Sequence, residues 1–312
     1  MSYDPPKPTK QNIKSIDETA QSSLSFPSSW ESQKEKDKVY KSIVGCTTII
    51  IAAIWNEIKD FVTKDIYRKH LIWALVYLKV YSTEYIHRRI VGWPDAKTFR
   101  EKSWHIVECI ADLKPKFIVT ENRFIGAPKN KRGLSLLSFD CTDCMIDEPW
   151  PFDISLCSKK FNGPGFKYGV SLALFSNNIC SGDGPYNAGF SEGGVFKEGV
   201  GSRIQENEPV EVDAEIRGDD QLMTPLTAIS SQQRKSKSNQ RARQETIFGK
   251  MKQFNVLNTP FRYSSSDLEE IKYKHGTCFD AVLVITQLKL MIGGEKVFRV
   301  KQSDDARYFM DY

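Results

Sequence analysis

The sequence predicts an α/β fold of the mixed α+β kind, in which a mixed sheet flanked by helices follows an all-helical region. Three observations predict it. Apolar residues recur at helical spacing through residues 36–118. Short apolar runs separated by turn residues follow from residue 134 onward, which is typical of strands. Long helical patterns over residues 240–257 and 268–290 then close the fold.

Composition limits the classes of protein to consider. The chain has 312 residues, of which 40% are hydrophobic, so it can bury a substantial core. Its net charge of +5 is only mildly basic. Seven cysteines and the lack of an apolar leader favour a reducing compartment and no signal peptide. The most apolar stretch, residues 43–55, is shorter than the roughly 20 residues that a membrane-spanning helix needs, so we expect no membrane partner.

The first half of the chain divides into two parts. Residues 1–35 are rich in Pro, Ser, Lys and Gln, and this composition predicts a disordered arm. Residues 36–118 form the all-helical region, which Gly92 and Pro94 interrupt and Pro115 ends.

The second half, residues 119–300, is expected to contain the sheet, and residues 301–312 a tail. The predicted order is three strands, a helix or irregular segment, a short strand and two helices. The corresponding ranges are 134–141, 167–175, 179–184, 195–204, 209–212, 240–257 and 268–290.

Three acidic residues lie where separate elements could bring them together. Asp140 follows the apolar run of the first strand, Asp213 follows the short strand, and Glu245 lies in the first of the two closing helices. Carboxylates that converge from rigid elements suit Mg²⁺ or Mn²⁺. Two such ions can clamp the attacking and leaving oxygens of a phosphoryl transfer. The pattern therefore favours a two-metal site.

Two other interpretations of the acidic segment at residues 138–153 stay open: a zinc site and a solvated acidic loop. Cys141 and Cys144 form a single C-x-x-C motif, but a structural zinc needs four ligands and the sequence has no second pair at a workable spacing. The favoured interpretation is therefore that Cys141 and Cys144 are small, partly buried cysteines rather than zinc ligands. Asp143 and Glu192 are second choices as metal ligands. The remaining acids are expected in a solvated loop; they are Asp147, Glu148 and Asp153.

Glu245 is the single acid in a basic stretch between residues 234 and 262. One interpretation is an intrahelical ion pair, worth about a few tenths of a kcal/mol. The other is a metal ligand on a helix whose basic neighbours bind the phosphate backbone of DNA. The predicted DNA-binding residues are Arg234, Lys235, Lys237, Arg241, Arg243, Lys250 and Lys252.

Five segments, in the correct order, resemble the DDE transposases of the PIF/Harbinger-like class, the DDE superfamily endonucleases. Residues 138–144 (SFDCTDC) resemble the segment around that family's first catalytic aspartate. Residues 208–218 (EPVEVDAEIRG) are similar to the segment around its second aspartate, and residues 241–254 (RARQETIFGKMKQF) to the helix that carries its glutamate. The other two similar segments are residues 160–168 (KFNGPGFKY) and 184–190 (GPYNAGF).

The resemblance implies a ribonuclease H-like catalytic domain and cut-and-paste DNA chemistry. It assigns both catalysis and the binding of two Mg²⁺ or Mn²⁺ ions to Asp140, Asp213 and Glu245. Water would hydrolyse a phosphodiester at a transposon end, and the freed 3′-hydroxyl would attack target DNA. The resemblance also implies a nuclear location and a helical region for DNA-end binding and assembly, and it allows a homo-oligomer and a Myb-like helper protein.

The chain departs from the family pattern next to both aspartates. Cys141 follows Asp140 where the family usually has glycine, and Ala214 and Glu215 follow Asp213. These departures leave open a second hypothesis, a domesticated or decayed transposase that binds DNA without cutting it. A third hypothesis is an unrelated hydrolase with paired carboxylates, such as a glycosidase, and the basic stretch around Glu245 argues against it.

Overall fold

The part of the chain before the sheet is helical. The computed structural model describes residues 3–129, 134–213, 216, 222–224, 231–263, 265 and 267–295, with the backbone alone for 231–240. The first helices are α1 (Lys10–Leu24), α2 (Gln33–Ile43), α3 (Thr48–Ile58), α4 (Arg68–Val80), α5 (Glu84–Ile90), α6 (Ala96–Ala111) and α7 (Lys114–Phe117), followed by a 3₁₀ turn at Thr120–Phe124. Side-chain caps fix some of their starts; at α6, Asp95 accepts the backbone N–H of Thr98. The helical pattern predicted over residues 36–118 is observed.

The disordered arm predicted for residues 1–35 is wrong for residues 10–24, which form α1. Thr9 caps this helix through the backbone N–H of Asn12. Ile16 and Ala20 are buried against the other helices. Asp17 accepts hydrogen bonds from side chains of α2 at 2.5 and 2.9 Å. Few apolar residues are thus enough to order the segment, because helices from later in the chain cover them.

Among the described residues six strands form a mixed open sheet. They are β1 (Leu137–Met145), β2 (Cys157–Ser158), β3 (Gly163–Ala173), β4 (Ile179–Asn187), β5 (Val210–Glu211) and β6 (Leu222–Met223). Their order is β4-β3-β1-β5-β6, and β2 pairs with the start of β3. β3 runs antiparallel to β1 and β4, whereas β5 and β6 run parallel to β1. The predicted α+β class, with a mixed sheet flanked by helices, is confirmed.

Alternating side chains give the sheet two apolar faces. On one face, Phe166 and Tyr168 of β3 belong to the large core that includes the last helix. On the other face, Phe139 of β1 packs with Val195 and Phe196 of α8 (Glu192–Glu198). The strands that carry the candidate acids are therefore covered by helices on both sides.

The last helix, α10 (Leu268–Met291), is the centre of the large core. Its first half buries one side, with Ile271, His275 and Cys278, whereas residues 281–290 are buried all round because helices and strands surround them. The same core cluster reaches from Ile16 in α1 to Leu290, so the first helices and the sheet share it. The helix predicted over residues 268–290 is confirmed.

The first strand is longer than the sequence predicted, and this changes the position of Asp140. β1 pairs with β3 from Leu137 to Met145, so Asp140 lies inside the strand, opposite Val170. Pairing with β5 involves only Leu137 and Ser138. The predicted strand end near residue 141 is therefore wrong. Asp140 lies beyond the end of the parallel pairing, rather than at the tip of the strand.

The helix that carries Glu245, α9, spans Ser231–Met251 and begins earlier than the predicted residue 240. A 3₁₀ turn at Asn255–Leu257 follows it. Within the described ranges, no single helix is long and apolar enough to cross a membrane; only α2 and α3 taken together, with a bend of 56°, reach that length and apolarity. The predicted tail at residues 301–312 lies outside the described residues.

Candidate functional site

Asp140 and Asp213 occupy equivalent positions on neighbouring segments. The last parallel pair between β1 and β5 is Ser138 with Glu211, and each aspartate lies two residues further along the chain. Continuing the register therefore places the two aspartates opposite each other, on the same face of the sheet. Adjacent strands are about 4.8 Å apart in the hydrogen-bonding direction. The charge of Asp213 acts on the carboxyl group of Asp140, so two of the three predicted metal ligands are neighbours.

The carboxyl group of Asp140 is mostly buried and lies among other charges. Its pKa is raised to about 6, chiefly by burial and further by the carboxylates of Glu192 and Asp213. The backbone N–H of Cys141, which donates to Oδ1 of Asp140 at 2.7 Å, and the ammonium of Lys160 act in the opposite direction. Neighbouring acids that raise the pKa of a buried carboxyl group are a frequent feature of functional sites.

α9 packs along β1 through polar contacts. Nε2 of Gln244 donates to Oγ of Ser138 at 3.2 Å, and Nζ of Lys252 donates to the backbone oxygen of Asp143 at 3.1 Å. Glu245 follows Gln244 in this helix, and its side chain is 64% exposed. The helix is therefore fixed against the strand of Asp140, while the carboxylate of Glu245 lies in solvent.

Arg241 joins the second and third predicted acids. Its Nη2 lies 3.6 Å from Oδ2 of Asp213, and its Nε lies 3.3 Å from Oε1 of Glu245. The guanidinium is thus the cation that bridges these two carboxylates. Because the side chain of Arg241 is itself 63% exposed, only a small free-energy cost opposes its movement.

The donor set suits a hard divalent cation, but the acids are not gathered around one point. Carboxylate oxygens are the ligands that Mg²⁺ and Mn²⁺ prefer, and burial, together with the charges of Glu192 and Asp213, raises the pKa of Asp140. In the part of the chain that the structure describes, no group of three His, Cys, Asp or Glu side chains is placed to hold a metal ion. Asp140 and Asp213 could hold an ion as a pair, and Glu245 would have to leave Arg241 to join them.

The two second-choice ligands contact lysines. Asp143 is buried, with Oδ1 2.8 Å from Nζ of Lys167 and Oδ2 accepting a hydrogen bond from Ser158. Oε1 of Glu192 lies 3.2 Å from Nζ of Lys160 and 3.9 Å from Nζ of Lys167. Asp143 is therefore one half of a buried structural ion pair, whereas Glu192 adds negative charge beside Asp140.

The C-x-x-C cysteines and the remaining acids differ in their exposure. Cys141 and Cys144 are buried, and burial raises the pKa of the Cys144 thiol to about 12. A thiol that resists deprotonation is a poor zinc ligand. The surroundings of the two cysteines therefore agree with their interpretation as buried side chains rather than zinc ligands. Asp147 and Glu148 are exposed and Asp153 is partly exposed, as expected for a loop at the surface.

Arg243 is a structural residue, so its predicted contact with DNA is wrong. Its side chain is only 1% exposed, and its guanidinium donates to the backbone oxygens of Ala173, Leu174 and Ser176 at 2.8 to 2.9 Å. These carbonyl groups lie where β3 ends, and Arg243 supplies their hydrogen bonds. The residue type predicted a solvent-facing cation because the sequence does not show which side of α9 faces the sheet.

The other predicted DNA-binding residues differ in their surroundings. Arg241 is exposed beside the acids. Nζ of Lys250 lies 2.6 Å from Oε2 of Glu295, and Lys252 donates to a backbone oxygen of β1. The side chains of the first basic group lie outside the described residues; these are Arg234, Lys235 and Lys237.

Lys160 is a candidate functional residue that the sequence did not indicate. The turn between β2 and β3 places it beside Asp140, and its charge acts on that carboxyl group. The sequence offered no signal for this role, because the contacts of Lys160 with β1 and with Glu192 join residues that are distant along the chain.

Comparison of the chain with protein-family models, with curated proteins and with solved structures gives no match. The functional argument therefore depends on the residues and the geometry described above.

Proposed function

We propose that the chain is a metal-dependent DNA endonuclease of the DDE transposase kind, with a ribonuclease H-like catalytic fold. The strand order β4-β3-β1-β5-β6, in which β3 alone runs against the other four, supports that fold. The observation that carries the functional proposal is the equivalent placement of Asp140 and Asp213, with Glu245 linked to Asp213 through Arg241.

Each acid has a distinct role in the proposed site. Asp140 and Asp213 would hold Mg²⁺ or Mn²⁺, and Glu245 would complete the set after Arg241 has moved. The two ions, when bound, supply activation of water and neutralisation of the phosphate charge. The contact of Gln244 with Ser138 fixes α9 against β1, and Arg241 links the exposed carboxylate of Glu245 to Asp213.

The proposed reaction consumes one water molecule per cut. The water oxygen forms a bond to phosphorus, the bond from phosphorus to O3′ breaks, and the proton lost by the water balances the proton gained by O3′. The products are a 3′-hydroxyl and a 5′-phosphate. In strand transfer, the 3′-hydroxyl attacks a phosphodiester of target DNA in the same way and releases a 3′-hydroxyl of the target.

DNA is the proposed partner because basic side chains lie beside the acidic residues of the site. Arg241 is exposed beside Asp213, and the basic residues of α9 continue in both directions from it. Arg243 is not part of this surface. The nuclear location, the homo-oligomer, the Myb-like helper and the role of the first helices in binding transposon ends belong to the same proposal.

A second candidate function is DNA binding without cleavage. The observation that favours it is Arg241, whose guanidinium neutralises Asp213 and Glu245 together. A protein that had lost metal-dependent chemistry could keep this arrangement as a stable ion-pair network. The same basic residues would still bind the DNA backbone.

A nicking assay with supercoiled plasmid and Mn²⁺ tests the proposal. We expect the wild type to convert the plasmid to the open circle, and Asp140→Ala, Asp213→Ala and Glu245→Ala to reduce the rate to background. Glu148→Ala is the matched control, since it removes an exposed carboxylate and should nick like the wild type. DNA binding without nicking by the wild type would favour the second candidate. Equal nicking by the wild type and Asp140→Ala would contradict the assignment of the site.

A further inference from the structure

Lys160 lies over β1 next to Asp140. Its Nζ donates a hydrogen bond to the backbone oxygen of Cys141 at 2.9 Å and lies 3.2 Å from Oε1 of Glu192. Its side chain is 48% exposed. An ammonium group has three N–H donors, and these two contacts use two of them. The group is therefore positioned by the protein and still open to a ligand from solvent.

The acids of the site would repel DNA unless a cation lies beside them. Glu192 and Asp213 are both close enough to act on the charge of Asp140, so a phosphodiester that approaches Asp140 meets negative potential. Among the residues that the structure describes, the charge of Lys160 acts on Asp140, and Arg241 lies 3.6 Å from Asp213. Arg241 already contacts two carboxylates, which leaves Lys160 as the better placed donor on the Asp140 side.

The neighbouring lysine of β3 is not an alternative. Lys167 also approaches Glu192, but its side chain is 6% exposed and its Nζ is 2.8 Å from the buried carboxylate of Asp143. A buried and paired ammonium cannot reach a substrate without breaking that pair, which is costly. Only Lys160 of these two lysines combines a fixed position with access to solvent.

We propose that Lys160 binds a non-bridging oxygen of the phosphodiester on which Asp140 and Asp213 act. The inference rests on the proposed nuclease function and adds a substrate-binding residue to it. A lysine ammonium binds phosphate as a point charge. It would also stabilise the charge that spreads over the non-bridging oxygens as the phosphorus is attacked.

The test compares Lys160→Ala with Lys160→Arg and with Lys159→Ala. Lys159 is the matched control because it is the adjacent exposed lysine and no ion pair involves it among the described residues. Under single turnover with varied DNA concentration, we expect Lys160→Ala to slow nicking by about 10- to 100-fold. Lys160→Arg should recover part of that loss, and Lys159→Ala should remain within about twofold of the wild type. Thermal unfolding of each variant shows whether the fold is intact.

A second readout does not need cleavage. The affinity for a short DNA duplex is measured against salt concentration in Ca²⁺, and loss of one phosphate contact lowers the slope of log affinity against log salt by about 1. If the wild type nicks but Lys160→Ala matches Lys159→Ala in rate and slope, the inference is overturned and the nuclease stands. If the wild type does not nick but Lys160→Ala alone lowers the slope, the nuclease proposal fails and the phosphate contact stands. No nicking and no specific change in slope would overturn both.

Discussion

Asp140 and Asp213 each lie two residues beyond the last parallel pair of β1 and β5, and the charge of Asp213 acts on the carboxyl group of Asp140. This relationship depends on only two paired residues in each strand, Leu137 with Val210 and Ser138 with Glu211. Because Leu137 and Val210 are fully buried in the core, the alignment of the two segments depends on core packing.

Replacing Asp140 with Asn should stabilise the folded protein at neutral pH. The pKa of Asp140 is raised from 3.8 to about 6. Between those two values the folded state holds a proton that the unfolded state has released, so the stability of the wild type falls as pH rises through this range. Asparagine has no carboxyl group to ionise, so the variant does not lose stability over this pH range. We expect Asp140→Asn to gain up to roughly 3 kcal/mol above pH 6 and to match the wild type below pH 4.

Urea unfolding at several pH values measures this difference. The exposed Asp147→Asn is the control for the substitution itself and should change the free energy of unfolding by less than about 0.5 kcal/mol. A stability difference for Asp140→Asn that stayed constant between pH 4 and pH 7 would show that the carboxyl group is not perturbed in the folded protein.

Replacing Arg241 with Ala should strengthen the binding of Mn²⁺. The guanidinium neutralises Asp213 and Glu245, and a divalent cation must displace it to use both carboxylates. Calorimetric titration with Mn²⁺ should therefore show tighter binding by Arg241→Ala, by up to about 5-fold, because such exposed ion pairs are worth no more than about 1 kcal/mol. Arg100→Ala is the control, since Arg100 is equally exposed and pairs with Glu84 on the first helices. Weaker binding by Arg241→Ala would contradict the idea of competition.

Replacing Arg243 with Ala should destabilise the fold strongly. The change removes the donor for three backbone oxygens and leaves a cavity between α9 and the sheet. We expect a loss of about 3 kcal/mol or more in the free energy of unfolding. Arg241→Ala, two residues away on the exposed side of the same helix, should lose less than about 1 kcal/mol. Comparable urea midpoints for the two variants would mean that Arg243 is not the buried support described here.

The sequence predicted the helices and strands correctly where the burial of their residues follows a local apolar pattern. In the helix predicted over residues 268–290 and the strands predicted over residues 167–175 and 179–184, apolar residues recur between turn residues, and the structure has these elements there. The acids Asp140 and Asp213 could be associated with neighbouring strands because each follows an apolar run. Local pattern therefore located the elements and the acids that depend on them.

The sequence failed where burial depends on distant residues. Ile16 and Ala20 are too few to predict a packed helix, and they are buried only because α3 and α4 lie over α1. Arg243 is buried because free carbonyl groups at the end of β3 accept its hydrogen bonds. The pairing of Arg241 with Glu245 was foreseeable from their spacing in a helix, but its contact with Asp213 was not.

Truncating Ile16 should measure how firmly α1 belongs to the core. Its side chain is 1% exposed, and Ile16→Ala should cost about 2–4 kcal/mol in the free energy of unfolding. Gln11→Ala, on the exposed face of α1, is the control and should be close to neutral. If Ile16→Ala unfolded at the same urea concentration as the wild type, residues 10–24 would behave as the arm that composition suggested.

The most direct test of the proposed site is crystallographic. Crystals grown in saturating Mn²⁺ should show anomalous density in contact with the carboxylates of both Asp140 and Asp213, with Arg241 displaced from Glu245. Anomalous density absent from that position, with Arg241 still between Asp213 and Glu245, would contradict the account.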